Sequence, residues 1–130
     1  MIILARKIYN AKSAQVSGPY SHAVDAGEYI YFSGQTAKNA PYAGDLIGDI
    51  AAQTKQCFQN LFEVMQEANL SSDDVVKVNV YLIDMKGFEE MNEVYKTQFS
   101  EPYPARTCVA VQALPLGAEV EIEMIAKRNN

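Results

Sequence analysis

The sequence carries one histidine, two cysteines and eleven basic against sixteen acidic residues in its 130 positions, and each shortage removes a class of chemistry. Ordinary zinc sites draw on several His or Cys, and a Ser-His-Asp arrangement requires a suitably placed His. With His22 alone, any reaction of this chain is expected to run without a metal. Cys57 and Cys108 form no CxxC pair, and two distant cysteines in a chain without secretory features read as reduced thiols. The formal net charge of −5, with no run of Lys or Arg, argues against a phosphate-tracking surface, because non-specific nucleic-acid affinity comes largely from basic side chains. Long apolar runs are missing too. Met1-Ile2-Ile3-Leu4-Ala5 is too short for a signal-peptide core and is followed by Arg6 and Lys7, and no later stretch would span a bilayer. The expectation is a cytoplasmic chain with no nucleic-acid or membrane partner.

What is present is ordinary globular usage, 48% hydrophobic and 21% charged, in a chain long enough to bury a substantial core as one domain over residues 1–130. Lys7-Ile8-Tyr9 reads as a short strand. Ser17-Gly18-Pro19-Tyr20-Ser21-His22 has turn chemistry, since Pro fixes its own φ and biases Gly18 away from helix, setting Tyr20 on a rigid corner. Strands are expected at 23–26 and 28–33, ended by Gly34-Gln35, and a loop at 36–48, marked by Asn39, Pro41, Gly44 and Asp45. Asp49 reads as the N-cap of the main amphipathic helix, with Ile50, Thr54, Cys57, Phe58, Leu61, Phe62, Met65 and Ala68 at helical spacing. On that stripe Cys57 reads as core. Asn69 suits a left-handed ending with Leu70 folding back.

Val75 to Ile83 is the clearest strand, and strict alternation puts Val76, Val78, Val80 and Leu82 on one face and Val75, Lys77, Asn79, Tyr81 and Ile83 on the other. Phe88, Met91, Val94, Tyr95 and Phe99 mark a second helix of about three turns, with Asn92 beside its apolar stripe. Glu101-Pro102-Tyr103-Pro104 breaks it. The order of elements argues for an α+β domain with two helices on one face of a single sheet. The uncovered face, with Tyr29, Tyr31, Val75, Tyr81 and Ile83, suits a homo-oligomer.

The last quarter reads as two strands around the turn Leu114-Pro115-Leu116-Gly117, a terminal hairpin. Thr107, Val109 and Val111 fall on one side of the first and Arg106, Cys108 and Ala110 on the other. In the second, Val120, Ile122, Met124 and Ala126 leave Glu119, Glu121 and Glu123 on the opposite face. Three like charges in a row suit water or a cation. Arg106 on a neighbouring strand would supply a cation, and its fork also holds a carboxylate through two parallel hydrogen bonds. Pattern alone favours a solvated strand face.

At Gly18-Pro19-Tyr20-Ser21, Ser33-Gly34-Gln35, Asn92-Glu93-Val94-Tyr95, Pro104-Ala105-Arg106-Thr107-Cys108-Val109 and Glu121-Ile122-Glu123, however, the sequence resembles the RidA (YjgF) family over essentially its whole length. The resemblance implies a chorismate-mutase-like α+β fold, a single mixed sheet with two helices on one face, assembled as a homotrimer with three inter-subunit clefts. It implies a hydrolase, a 2-iminobutanoate/2-iminopropanoate deaminase that converts 2-imino acids, tautomers of enamines such as 2-aminoacrylate, to 2-oxo acids and ammonia. Such activity protects pyridoxal-phosphate enzymes from those enamines. Residue by residue, Arg106 matches the group that grips the substrate carboxylate, Glu121 the one that orients or activates water, and Tyr20 the aromatic closing the pocket. Ser33 and Gly34 match its wall, Cys108 a cleft-lining residue and Asn92 a polar neighbour. His22 stands where many relatives carry Gln, Asn69 where Gly is common, and the stretch 36–43 is individual.

The chemistry agrees, because a protonated imine needs only a fixed carboxylate, a placed water and proton traffic, with no cofactor. Two other readings compete: a non-catalytic trimer that binds 2-oxo acids or docks on a partner protein, and a ribonuclease, against which the acidic balance and the single His argue.

Overall fold

The computed structural model describes residues 6–12, 18–39 and 46–129. The expected loop markers Pro41, Gly44 and Asp45, together with Ser17 and Met1 to Ala5, lie outside them. Six strands form one sheet: β1 (Lys7–Tyr9), β2 (Ala23–Asp25), β3 (Tyr29–Thr36), β4 (Val75–Leu82), β5 (Ala105–Ala110) and β6 (Val120–Lys127). Their spatial order is β1-β2-β3-β6-β4-β5. Only β4 and β5 run parallel, joined through a helical crossover as parallel neighbours require. The expected terminal hairpin is therefore corrected. The turn at 114–117 carries the chain past β4 instead of folding β6 onto β5, and β4 occupies the place between them.

Helix α1 (Ile50–Glu67) starts where Asp49 Oδ1 accepts from the Ala52 amide at 2.9 Å. It ends where Asn69 turns to φ 58° and the Leu70 amide reaches back to the Met65 carbonyl at 2.9 Å, a Schellman closure that sends Leu70 into the core. Helix α2 (Phe88–Tyr95) has eight residues, about two turns, so the three expected are not reached. Single turns carry the chain on to Phe99, which still packs edge-on against Phe58 at 5.6 Å between ring centroids.

Both helices back one face of the sheet through Phe58, Leu61, Met91, Val80, Ile122 and Met124. Among the described residues no helix is long and apolar enough to cross a membrane. Among the described residues the other face is bare, with Tyr31 50% and Ile83 41% exposed. One expected member of that face is wrong. The register of β4 against β6 shifts between Val75 and Lys77, and this bulge turns Val75 inward to 6% exposure while Val76 faces out at 39%. Strand β3 also runs through Gly34 and Gln35 to Thr36, with an irregularity between Phe32 and Gln35, where the sequence suggested its end.

Candidate functional site

Alternation along β6 sends Ile122 and Met124 into the core and Glu121 and Glu123 onto the bare face. Glu121 sits on a central strand, opposite Thr36 of β3 and Tyr81 of β4. A hollow of about 350 Å³ opens over it, lined by Tyr20, Ser33, Gly34, Thr36, Glu121 and Glu123 with Pro115 and Leu116. Gly34 is required there by close approach, because a Cβ at that position would lie 2.8 Å from Glu121 Oε2. Burial pushes the Glu121 carboxyl above the usual carboxylate range, and the neighbouring charge of Glu123 adds to it.

Helix α1 grips the backbone around this carboxylate. Gln53 Oε1 accepts from the Glu119 amide at 3.0 Å, and Gln53 Nε2 donates to the Glu119 carboxylate at 2.8 Å. The Cys57 thiol points to the Val120 carbonyl at 3.7 Å, and Asn60 Nδ2 donates to the Thr36 carbonyl at 3.2 Å. Cys57 is buried as expected, and burial pushes its thiol far up, out of reach of ionisation. On the far wall Ser33 Oγ donates to the Ser21 carbonyl at 2.6 Å and the Ser33 amide to the His22 carbonyl at 2.9 Å. His22 is buried, with Nδ1 accepting from the Ala11 amide at 3.1 Å. Its ring, 6.4 Å from that of Tyr20, backs the corner that brings Tyr20 to the hollow.

Arg106 lies elsewhere. On edge strand β5 it pairs with Val78, whose side chain faces the helices, and so it turns toward α2. Its guanidinium carbon sits 4.6 Å from the Tyr95 ring centroid and 5.5 Å from that of Phe88, and Nη1 donates to Asn92 Oδ1 at 2.6 Å. Among the described residues no carboxylate pairs with it. A second hollow, about 490 Å³, is lined by Arg106, Asn92, Tyr95, Lys96, Tyr103 and Pro104. Cys108 shares Arg106's face, half-buried against the core, and lines neither hollow. Burial raises its thiol pKa against an opposing pull from Arg106, so the thiol stays protonated.

The expected residues thus fall into two groups. Tyr20, Ser33, Gly34 and Glu121 share one hollow, Arg106 and Asn92 the other. The idea that Arg106 faces the glutamate row within one chain is corrected, since β4 intervenes and the two side chains occupy opposite faces. Sequence reasoning missed Gln53, Gln56 and Asn60, buried polar residues on α1 that simple apolar periodicity treats as solvated. It also missed Tyr81 and Asn79 as partners of Glu123, although alternation had already placed all three on the bare face.

Fold and site together define a class: small α+β proteins whose two helices back a six-stranded mixed sheet, with an acidic hollow on the bare side. The profile described as endoribonuclease L-PSP matches residues 11–128, and the chain belongs to that family. It is 42% identical over 125 residues to the 2-iminobutanoate/2-iminopropanoate deaminase of Mus musculus, covering 95% of this chain and 92% of that one. Among solved structures it superposes on RidA from an Antarctic Psychrobacter with a TM-score of 0.86 at 41% identity, covering 95% of this chain and all of the other. E. coli TdcF with bound serine gives a TM-score of 0.87 at 36% identity, with 95% and 100% covered.

Proposed function

We propose that this chain is a 2-iminobutanoate/2-iminopropanoate deaminase, hydrolysing small 2-imino acids to 2-oxo acids and ammonia in clefts between the copies of a homotrimer. The observation that carries the reading is the placement, in two separate open hollows, of a guanidinium with no carboxylate partner among the described residues and a glutamate whose pKa burial raises. Each is half of a site for a substrate with a carboxylate at one end and an electrophilic C=N at the other. One chain cannot join them. A second copy laid against the bare face, which exposes Tyr29, Tyr31, Val76 and Ile83, can bring its β5 edge to the first copy's acidic hollow. The deaminase name of the murine relative and the serine, an amino acid, bound by TdcF support the same substrate class.

In this cleft Arg106 holds the substrate carboxylate through its fork, kept flat by the Tyr95 and Phe88 rings. Water attacks the iminium carbon while Glu121 takes one of its protons, and the C=N π pair moves to nitrogen. Glu121 then returns the proton to the amino group of the carbinolamine. The C–N bond breaks as the hydroxyl oxygen's pair forms C=O, ammonia leaves, and the hydroxyl proton passes back to Glu121. Tyr20 closes the pocket over the reacting carbon. Positioning removes several kcal/mol of barrier and proton transfer contributes about 10²–10⁴-fold. No step calls for a cofactor.

The test couples an amino-acid oxidase that generates the imine to semicarbazide trapping, comparing wild type with Arg106→Ala. Suppressed semicarbazone formation by wild type alone supports the reading. Absence of suppression by either, with 2-oxo acid still bound, makes the cleft a non-catalytic binding site.

A further inference from the structure

One cluster on the bare face remains without a task. Tyr81 Oη donates to Glu123 Oε1 at 2.5 Å, and Asn79 Nδ2 donates to the same oxygen at 3.1 Å. Both donors come from β4, two residues apart and on the same face, so Glu123 is held from across the strand pair at Asn79 and diagonally from Tyr81. A charged side chain on an open sheet face ordinarily moves with its solvent; this one is fixed. It lines the same hollow as Glu121, two residues along the strand, roughly 7 Å by strand rise.

We infer that Glu123 is a positioning residue for the imine hydrolysis: pinned by Tyr81 and Asn79, it fixes a second negative charge beside Glu121 that strengthens Glu121 as a proton acceptor. The inference rests on the deaminase reading and deepens it. A carboxylate in water is a feeble base, and a fixed negative charge beside the partly buried Glu121 makes that carboxyl harder to ionise. The fixed charge also favours the cationic iminium and the ammonium that leaves.

The surroundings of Glu121 support Glu123 as the source. From β3 it meets Gly34 and Thr36, neither charged, and from β4 Tyr81. The hydrogen bond to Glu123 pushes the Tyr81 phenol up to about 12, so Tyr81 remains a donor throughout the working range. Cys57, beneath from α1, is neutral. Just before that strand Glu119 turns away to Gln53 and the Gly48 amide. Lys77, two residues along β4 from Asn79, turns to Thr107 Oγ1 at 2.9 Å. Tyr20 completes the hollow with a neutral ring.

The experiment titrates the Glu121 side-chain carboxyl by carbon-13 NMR in wild type, Glu123→Gln and Tyr81→Phe, alongside the pH profile of kcat/KM. Gln keeps the size of Glu and one acceptor oxygen for Tyr81 and Asn79 while removing the charge. Glu121 is expected to titrate at lower pH in Glu123→Gln, with the acid limb of kcat/KM moving down by the same interval and plateau turnover falling about tenfold. Tyr81→Phe leaves the charge but loosens it, and an intermediate shift is expected. Identical Glu121 titrations in all three chains overturn the inference. A shift in titration without imine turnover by wild type overturns the deaminase reading instead, and leaves the pairing of the two carboxylates standing.

Discussion

The two hollows are built on opposite plans. Arg106 projects from an edge strand and is immobilised by what packs on it, the rings of Tyr95 and Phe88 and the Asn92 amide oxygen. Glu121 projects from a central strand and is immobilised by what lies behind it, an α1 whose Gln53, Cys57 and Asn60 hold the backbone on either side. The first plan surrounds a guanidinium with two rings and an amide oxygen. The second leaves a carboxyl half-buried, so that its pKa rises. On the proposed deaminase reading, Glu121 in the acidic half sets a pH dependence, and Arg106 in the basic half grips the substrate carboxylate.

The comparison breaks most sharply at its charges. Arg106→Ala is expected to cost at least about 10²-fold in turnover while the fold survives, since the side chain sits outside the core, and Arg106→Lys should recover little because a point charge lacks the fork. Circular dichroism beside the coupled assay checks both. Glu121→Gln should lower turnover by about 10²-fold with 2-oxo acid binding, measured by calorimetry, nearly unchanged; an equal loss of both would reduce Glu121 to a binding group. On the deaminase reading the active form is the Glu121 carboxylate, so activity should fall as pH drops through its raised pKa, an acid limb above the ordinary value near 4.3.

A smaller change sharpens the same contrast. Gly34→Ala inserts a methyl whose nearest neighbours, Oε2, Cδ and Cγ, all belong to the Glu121 side chain, so the chain should fold normally and lose about tenfold in turnover as the carboxylate is displaced. A control lies outside both halves. The Asp25 carboxylate accepts from the Gly27 amide at 2.8 Å, from Arg128 at 2.9 Å and from Tyr9 at 3.2 Å. The Gly27 amide first, then Arg128 and Tyr9 against the cost of burial, holds it below the usual carboxylate range. Its stabilisation is thus present above the unfolded pKa, near 3.9, and lost as pH falls through the folded value. Asp25→Asn should lower stability at neutral pH by about 1–2 kcal/mol in urea melts without touching catalysis. The smallest effect belongs to Tyr95→Phe. Its buried hydroxyl has no hydrogen-bond partner among the described residues, so removing it should leave stability unchanged or raise it by up to about 1 kcal/mol.

Much of each half was legible in the sequence, but not their separation. Alternation alone assigned Arg106 and Cys108 to one face of β5 and Glu121 and Glu123 to one face of β6, and the caps at Asp49 and Asn69 fixed both ends of α1. Alternation cannot say which strands are neighbours. Leu114 to Gly117 has hairpin chemistry, including the left-handed Leu116 at φ 61°, and nothing local reveals that β4, thirty residues earlier, fills the gap. The bulge that exchanges Val75 and Val76 is equally silent, because both residues are valine. The polar residues of α1 were hidden for a different reason. Gln53 and Asn60 are buried for the backbone groups they satisfy, and those groups become neighbours only once the sheet is formed.

The central claim is that one working cleft takes Arg106 from one copy and Glu121 from another, and subunit mixing tests it most directly. Arg106→Ala and Glu121→Gln chains, each lowered about 10²-fold alone, are dissociated, combined in equal amounts and reassembled, with subunit exchange verified by native mass spectrometry. Some mixed clefts then receive an intact Arg106 and an intact Glu121, about a quarter of all clefts for random assembly into symmetric rings, and imine hydrolysis should reappear at a corresponding share of the wild-type rate. A mixture that exchanges subunits yet stays as slow as its parents would contradict the account.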